Sequence, residues 1–553
     1  MNKKLLVGVT AVVIIALIAA ACGASEVSTP TSSSTSTATP APSAATATPP
    51  VEEVEPTPGP SLAVTYDPKN ALSEGYWYSR YNLGHLVMRS GLGIQLMPPP
   101  EKVKAMMEMA GIDEAPTKPY LLQAAYASAD PHFITAFNGN DNDFSNFRWD
   151  PAKMDTTVTT QAMAYTIIKE IIWAKSFASD VEGPNPMNHF RALALSTEAA
   201  AQVNFMMTNL MSVDGLFVPA WREGEALDEE PAAQDQMAML WALSEMADYA
   251  TGKYGWYAAP LTADKAFAIA DGLLATVVDS EEAYPGFLND LPTRDLGLAL
   301  TALSSYVGYA QDGIARALAL EESIPTLAGE MLSRMEGKGK LVANGGYSQV
   351  STQATAVQGL VYAHKVTGIS GYQVAALAAW DYMETLWDEA SGLYALSPGA
   401  VDYIYSIRDV GDISGAVNAL LNGLNLDVDR RYATFFNAVV NRSGLLIAED
   451  LATGGERDDD GIPVPGNAGG AFGQAPVFAT EVVYHTATGE WEVSNPRFTT
   501  ADAMYASNQL MWMSSWAGRP AVAGFGIPVT PASVRNGHED ETGHGPLPPS
   551  AQF

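Results

Sequence analysis

The chain is poor in cysteine, in positive charge and in alternating strand patterns, and each shortage excludes something. One cysteine, Cys22, among 553 residues rules out an internal disulfide framework and thiolate chemistry in the folded part. Thirty Lys and Arg against 62 Asp and Glu leave a formal charge of −32, with the basic residues scattered singly. Nucleic acid, whose phosphates are held by clustered cations, is therefore excluded as a partner. There is no Gly-rich phosphate loop, dinucleotide fingerprint, Gly-x-Ser-x-Gly elbow, His-Glu-x-x-His pair or Cys-x-x-Cys-His run, so nucleotide, esterase, zinc-protease and covalent-haem readings lose their sequence support. Long apolar runs are also missing beyond Leu5 to Ala21.

That run follows Lys3 and Lys4 and closes on Ile18-Ala19-Ala20-Ala21-Cys22, the pattern of a secretory signal. The ending resembles a lipobox, with Ala19 where Leu is commonest. The resemblance implies cleavage before Cys22, lipidation of its sulfur, and an extracytoplasmic chain tethered to membrane or cell surface; an uncleaved span of 17 apolar residues is the alternative. Residues 22–60 are Ser, Thr, Ala and Pro with no apolar periodicity, a composition expected to stay unfolded and act as a stalk reaching about 35 Å. A folded domain is expected over 61–530 and a flexible tail over 531–553.

Within the domain, apolar residues recur at helical spacing in about a dozen segments. The clearest are Met154 to Phe177, His189 to Met211, Ala232 to Ala250, Leu261 to Val278, Thr293 to Ala310, Ser351 to Val366, Tyr372 to Trp387, Ile413 to Leu424 and Thr500 to Trp516. Val477 to Val493 alternates around Ala487-Thr488-Gly489 and predicts a hairpin. A short loop motif recurs: Asp214-Gly215-Leu216-Phe217, Gly345-Gly346-Tyr347, Ser391-Gly392-Leu393-Tyr394 and Ser443-Gly444-Leu445-Leu446, the later copies about 50 residues apart, one helix pair with two loops. The stretch Trp387-Asp388-Glu389-Ala390-Ser391-Gly392-Leu393-Tyr394 resembles the loops joining helix pairs in α/α-toroid proteins, especially six-hairpin glycosidases and sugar epimerases. The resemblance implies an all-α toroid of about six helical hairpins carrying a small β-hairpin insertion, with an open α-solenoid as the alternative.

In a toroid the loops at one end form a cup, which directs attention to loop carboxylates and aromatics. Trp221-Arg222-Glu223-Gly224-Glu225 with Asp228, Glu229, Glu230 and Asp235 forms one acidic-aromatic group, and Tyr403 to Asp412 forms another. Glycoside hydrolysis needs two carboxyls, and sugar binding needs flat rings. Asp235, Asp412 and Asp409 are thus the candidate acids and bases, and Trp221, Arg222, Tyr347, Tyr405 and Arg408 the candidate substrate contacts. The same acidic positions also suit helix N-termini. His364 shares a helical face with Val357, Leu360 and Val361 and reads as a core residue. Glu456, Asp458 and Asp460 precede Gly461 at alternate positions like part of a calcium loop, although Asn467 stands where a bidentate Glu belongs. No cofactor is required by any motif, and calcium is the metal these residues suit. A carbohydrate-active enzyme, a non-catalytic surface lipoprotein binding glycan, peptide or protein, and a lyase all remain open.

Overall fold

The computed structural model describes residues 65–95, 99–113, 122–134, 148–179, 185–228, 230–252, 261–279, 291–447 and 474–513. The signal segment, Cys22, the stalk, the tail and the calcium candidates Glu456, Asp458 and Asp460 lie outside the described residues. No described helix is long and apolar enough to cross a membrane.

Fourteen helices are described: α1 (Pro68–Gly84), α2 (Pro100–Ala110), α3 (Thr160–Ala178), α4 (Pro186–Asn209), α5 (Ala233–Ala250), α6 (Ala263–Asp279), α7 (Thr293–Tyr309), α8 (Ile314–Leu318), α9 (Ile324–Ser333), α10 (Gln349–Thr367), α11 (Ser370–Glu384), α12 (Ile407–Asn418), α13 (Asp429–Phe436) and α14 (Thr500–Met513). Six of them close a ring: α3 packs on α5, α5 on α7, α7 on α10, α10 on α12, α12 on α14, and α14 back on α3. A second set covers the first, with α4 on α3, α6 on α5, α9 on α7, α11 on α10, α13 on α12 and α1 on α14. Burial separates the two sets. Seventeen of the 18 residues of α5 are buried, because a helix hydrophobic on all sides must lie between layers. In α11, by contrast, 6 of 15 are buried, since one stripe faces the ring and the rest faces water. Ring closure excludes the open solenoid and meets the expectation of six helix pairs.

Glycines tighten the ring. A Cβ at Gly297 on α7 would stand 2.5 Å from the carbonyl of Thr355 on α10, and one at Gly359 would stand 2.5 Å from the Gly297 carbonyl oxygen, so the two backbones touch where no side chain fits. The core includes the fully buried Trp77, Trp149 and Trp173.

The recurring loops are the links from an outer helix into the next inner one. Gly215, Gly392 and Gly444 take positive φ, and beside them run short antiparallel bridges: Met211 to Phe217, β7 (Trp387–Asp388) to β8 (Leu393–Tyr394), and Leu446 to Phe478. The predicted hairpin is present as β10 (Glu481–His485) and β11 (Glu490–Asn495), joined in one antiparallel sheet by β9 (Asp402–Ser406).

Two expectations need correction. Met154 does not begin a helix: Asp155–Thr159 is strand β4, its β-branched Thr-Thr-Val-Thr favouring the pleat, and Thr159 then caps α3 through a bond from Ala162 N. With β3 (Tyr126–Ala129), β5 (Ala220–Arg222), β6 (Glu225–Asp228) and β12 (Phe498–Thr499) it makes a five-stranded antiparallel sheet in the order β12-β3-β4-β5-β6. Also, α12 begins at Ile407, not Ile413. Ser406 and Asp409 form a reciprocal capping box there, leaving Asp412 inside the helix and not at its cap.

Candidate functional site

Because inner and outer helices alternate along the chain, all six inner helices run the same way and their N-termini gather at one end. Each N-terminus carries about half a positive charge from its unpaired N–H groups, so this end attracts carboxylates. They are there: Asp235, Asp295, Asp409 and Asp502 lie in the first turns of α5, α7, α12 and α14, and Asp412 one turn further along α12.

Arg294 of α7 stands at the centre. Its Nε and Nη2 donate to Asp412 Oδ2 and Oδ1, both at 2.8 Å, and its Nη1 donates to Asp295 Oδ1 at 2.9 Å. The guanidinium carbon lies 4.9 Å from the Tyr347 ring centre and 5.5 Å from that of Tyr505. Tyr505 donates its hydroxyl to Asp412 at 2.7 Å, and Tyr347 to Asp295 Oδ2 at 3.0 Å. Asp412 is 0% exposed; burial lifts its carboxyl above the ordinary range while the Arg294 charge pulls it back. The Arg294 guanidinium stays charged, held up by the facing carboxylates against burial.

The remaining predicted residues fall out as follows. Asp235 is buried; its Oδ1 accepts from Gln161 Nε2 of α3 at 2.9 Å, and its other oxygen has no hydrogen-bond partner among the described residues. Burial pushes its carboxyl up to about 7, the Asp228 and Asp295 charges add to that, and the Gln161 bond opposes it. Asp409 is spoken for on both oxygens, Oδ1 by Ser348 and Ser351 at 3.0 and 2.5 Å, Oδ2 by Ser406 N and Oγ at 2.9 and 2.5 Å. It ties the start of α10 to the start of α12. Arg408 grips Asp502 Oδ1 through Nε at 2.7 Å and Nη2 at 2.5 Å, tying α12 to α14, and keeps partial exposure. Tyr405 is fully buried with its hydroxyl donated to the Tyr394 carbonyl, which takes it off the surface a substrate touches. Trp221 meets Phe205 of α4 edge-to-face at 5.3 Å, and Arg222 pairs with Asp155 on the outer sheet. His364 is not the core residue expected: it lies half-buried near the end of α10, with its Nδ1 3.0 Å from the Ile369 carbonyl oxygen.

Sequence reasoning missed Arg294, Asp295, Tyr505, Gln161, Tyr165 and Trp241. Each lies in the first two or three turns of an inner helix, a rule that becomes usable once the ring is known. Gln161, Tyr165, Gln234, Trp241, Arg294 and Asp295 line a narrow slit between α3, α5 and α7 with about 10 Å³ of space, one water's worth. Trp241 stacks on Trp512 at 5.0 Å and 13°, and Tyr165 tilts against Tyr505 at 5.2 Å. No group of three or more His, Cys, Asp and Glu among the described residues is arranged to hold a metal.

The sequence matches no known family and no curated protein. Solved structures of similar outline include a D-mannose isomerase (11% identity, 75% of this chain and 98% of that one, TM-score 0.46). A glycoside hydrolase family 76 mannosidase of Bacteroides thetaiotaomicron gives 9%, 75% and 97%, and 0.40. An endoglucanase of the termite Nasutitermes takasagoensis gives 12%, 82% and 100%, and 0.42. Likeness at this level assigns neither activity nor substrate, and the ring itself rests on the helix contacts above.

Proposed function

We propose that the protein acts on glycans at the cup floor, with Asp235 as the general acid and Asp295 as its anionic partner. The observation that carries this reading is the contrast between the two carboxyls. Asp235, lifted to about 7 by burial, accepts a side-chain hydrogen bond on only one oxygen among the described residues, while Asp295 accepts on both of its oxygens, from Arg294 and Tyr347. A carboxyl that keeps its proton near neutrality, with a second carboxyl close by, is what acid-assisted glycoside cleavage uses. Gln161 and Gln234 suit sugar hydroxyls, and Tyr347 suits a sugar face. Asp412, sealed under Arg294, positions that arginine and does not touch substrate. Asp409 and Arg408 hold helix starts in register.

The slit's small volume favours a second reading, a glycan-binding surface without turnover. Reducing-end release from a neutral glycan panel, using the full-length chain in mild detergent with and without calcium, separates the two. Release that disappears in Asp235→Asn and Asp295→Asn supports the enzyme; binding without release leaves the binder; neither sinks the glycan reading. A rise in affinity or thermal stability with calcium supports the metal role proposed for Glu456, Asp458 and Asp460. We also place the chain outside the cytoplasm on a lipid at Cys22, and loss of radiolabelled palmitate incorporation in Cys22→Ser tests it.

A further inference from the structure

Strand pairing concentrates positive charge at one place in an otherwise acidic molecule. β12 pairs with β3, β3 with β4 and β4 with β5, which brings Arg497, just before β12, beside Lys153, just before β4, and Arg222 of β5. These three cations line one open cleft of about 400 Å³ together with Asp155. Lys153 is engaged with Asp130 at 2.7 Å and Arg222 with Asp155 at 2.8 Å, both pairs partly exposed and therefore weak. Arg497 is different. Its Nη2 donates to two neutral oxygens, Ser128 Oγ at 3.0 Å and Lys153 O at 3.1 Å, and it has no ion-pair partner among the described residues. The surplus positive charge of the cleft is therefore Arg497, with its remaining N–H donors available in a planar fork that matches a carboxylate or sulfate.

The cleft is joined to the candidate site through the chain. β4 leads from it into α3, and from Asp155 to Gln161 the extended chain spans at most about 20 Å, the scale of a short oligosaccharide. We infer that the cleft is a recognition subsite for one anionic sugar unit, bearing a carboxylate or sulfate group, of a chain whose neutral portion lies across the cup. This inference rests on the glycan reading and names its substrate class. The net charge of −32 does not forbid it, since charges more than about 8 Å away are screened at physiological salt, and the acids at the cleft itself, Asp155 and Asp130, are each paired with a cation, Arg222 and Lys153.

The test is calorimetric titration of the full-length chain with three oligosaccharides of equal length: one ending in a uronate, one in a sulfated sugar, one neutral. The expected result is at least a tenfold preference for an anionic probe, weakened by salt, abolished by Arg497→Glu and reduced by Arg497→Ala, with the neutral probe bound equally by all three proteins. Whichever anionic probe binds more tightly identifies the group. Equal affinities for charged and neutral probes, or a preference that survives Arg497→Glu, overturns the inference. Cleavage of neutral glycans without anionic preference removes this subsite and leaves the proposed activity standing. An Arg497-dependent preference with no cleavage of any probe does the reverse.

Discussion

Glu198→Gln should stabilise the protein at pH 8 and leave it nearly unchanged at pH 5. Glu170 of α3 and Glu198 of α4 face each other in the interface between an inner and an outer helix, at 0% and 3% exposure. Gln202 donates to Glu170 Oε1 at 3.0 Å, but Glu170 Oε2 and Glu198 Oε1 are buried with no hydrogen-bond partner among the described residues. Burial drives both carboxyls up, the Glu198 charge adds to the push on Glu170, and a Gln202 hydrogen bond to each, with Lys102 beside Glu198, gives partial relief; Glu198 rises to about 8 from an ordinary value of 4.5. The unfolded chain gives up this proton above about 4.5 and the folded chain keeps it until about 8, so stability is full at low pH and falls through that window. Each pH unit removes about 1.4 kcal/mol, for a total of about 5 kcal/mol at pH 8. With an unfolding entropy of about 2.1 cal/mol/K per residue over roughly 450 residues, 1 kcal/mol moves Tm by about 1 °C, so the variant should gain about 4–5 °C over wild type at pH 8. Scanning calorimetry of both proteins at pH 5, 6, 7 and 8 checks this, because the difference cancels the pH response common to both. Curves that stay parallel across the window would refute the reasoning.

Arg294→Met should cost about 3–5 kcal/mol in denaturant unfolding by stranding Asp412 at 0% exposure, and Arg294→Met with Asp412→Leu should recover most of that loss. If the chain hydrolyses glycans, wild-type turnover should decline as pH rises through about 7, where Asp235 loses its proton, and a pH–rate profile with no descending limb near 7 contradicts its assignment as acid. Gly297→Ala places a methyl 2.5 Å from the Thr355 carbonyl and should lower stability by about 1–3 kcal/mol in thermal melts, because backbone on both sides leaves the methyl nowhere to go.

The helix pairs were legible because all-round apolar stretches such as Met237 to Leu243 can lie only between layers, and the recurrent Gly loops marked the passage from outer to inner helix. Ala233–Ala250 and Thr293–Tyr309 lie within one residue of their expected ranges. The sheet was less legible. Its strands run from two to five residues, and Asp155–Thr159 flows into a helix without a breaking Gly or Pro, so one continuous period was the natural reading. Within the site, loop carboxylates drew attention because loops carry function. The polar residues that converge, Arg294, Asp295, Gln161 and Tyr505, are on helices amid apolar neighbours, and their meeting depends on which helices adjoin, which spacing along one chain does not encode.

The acidic residues at the ring's N-terminal end divide by how their oxygens are used, and the proposed function rests on that division. Asp409 spends both oxygens on three serines, and Asp412 spends both on Arg294 and Tyr505. Apart from the Ser406 cap, these links join neighbouring or facing inner helices, so the two carboxylates fix the spacing of helix starts whose dipoles already favour them. A group so engaged cannot exchange a proton without breaking the frame. Asp235 accepts one side-chain hydrogen bond, from Gln161, and is lifted toward neutrality by burial. The nearby Asp295 adds to that upward push, and itself accepts from Arg294 and Tyr347. The same helix ends that make the carboxylates structurally favourable leave one of them, Asp235, with an oxygen that no side chain engages among the described residues, which is why the proposed function gives it the acid's part.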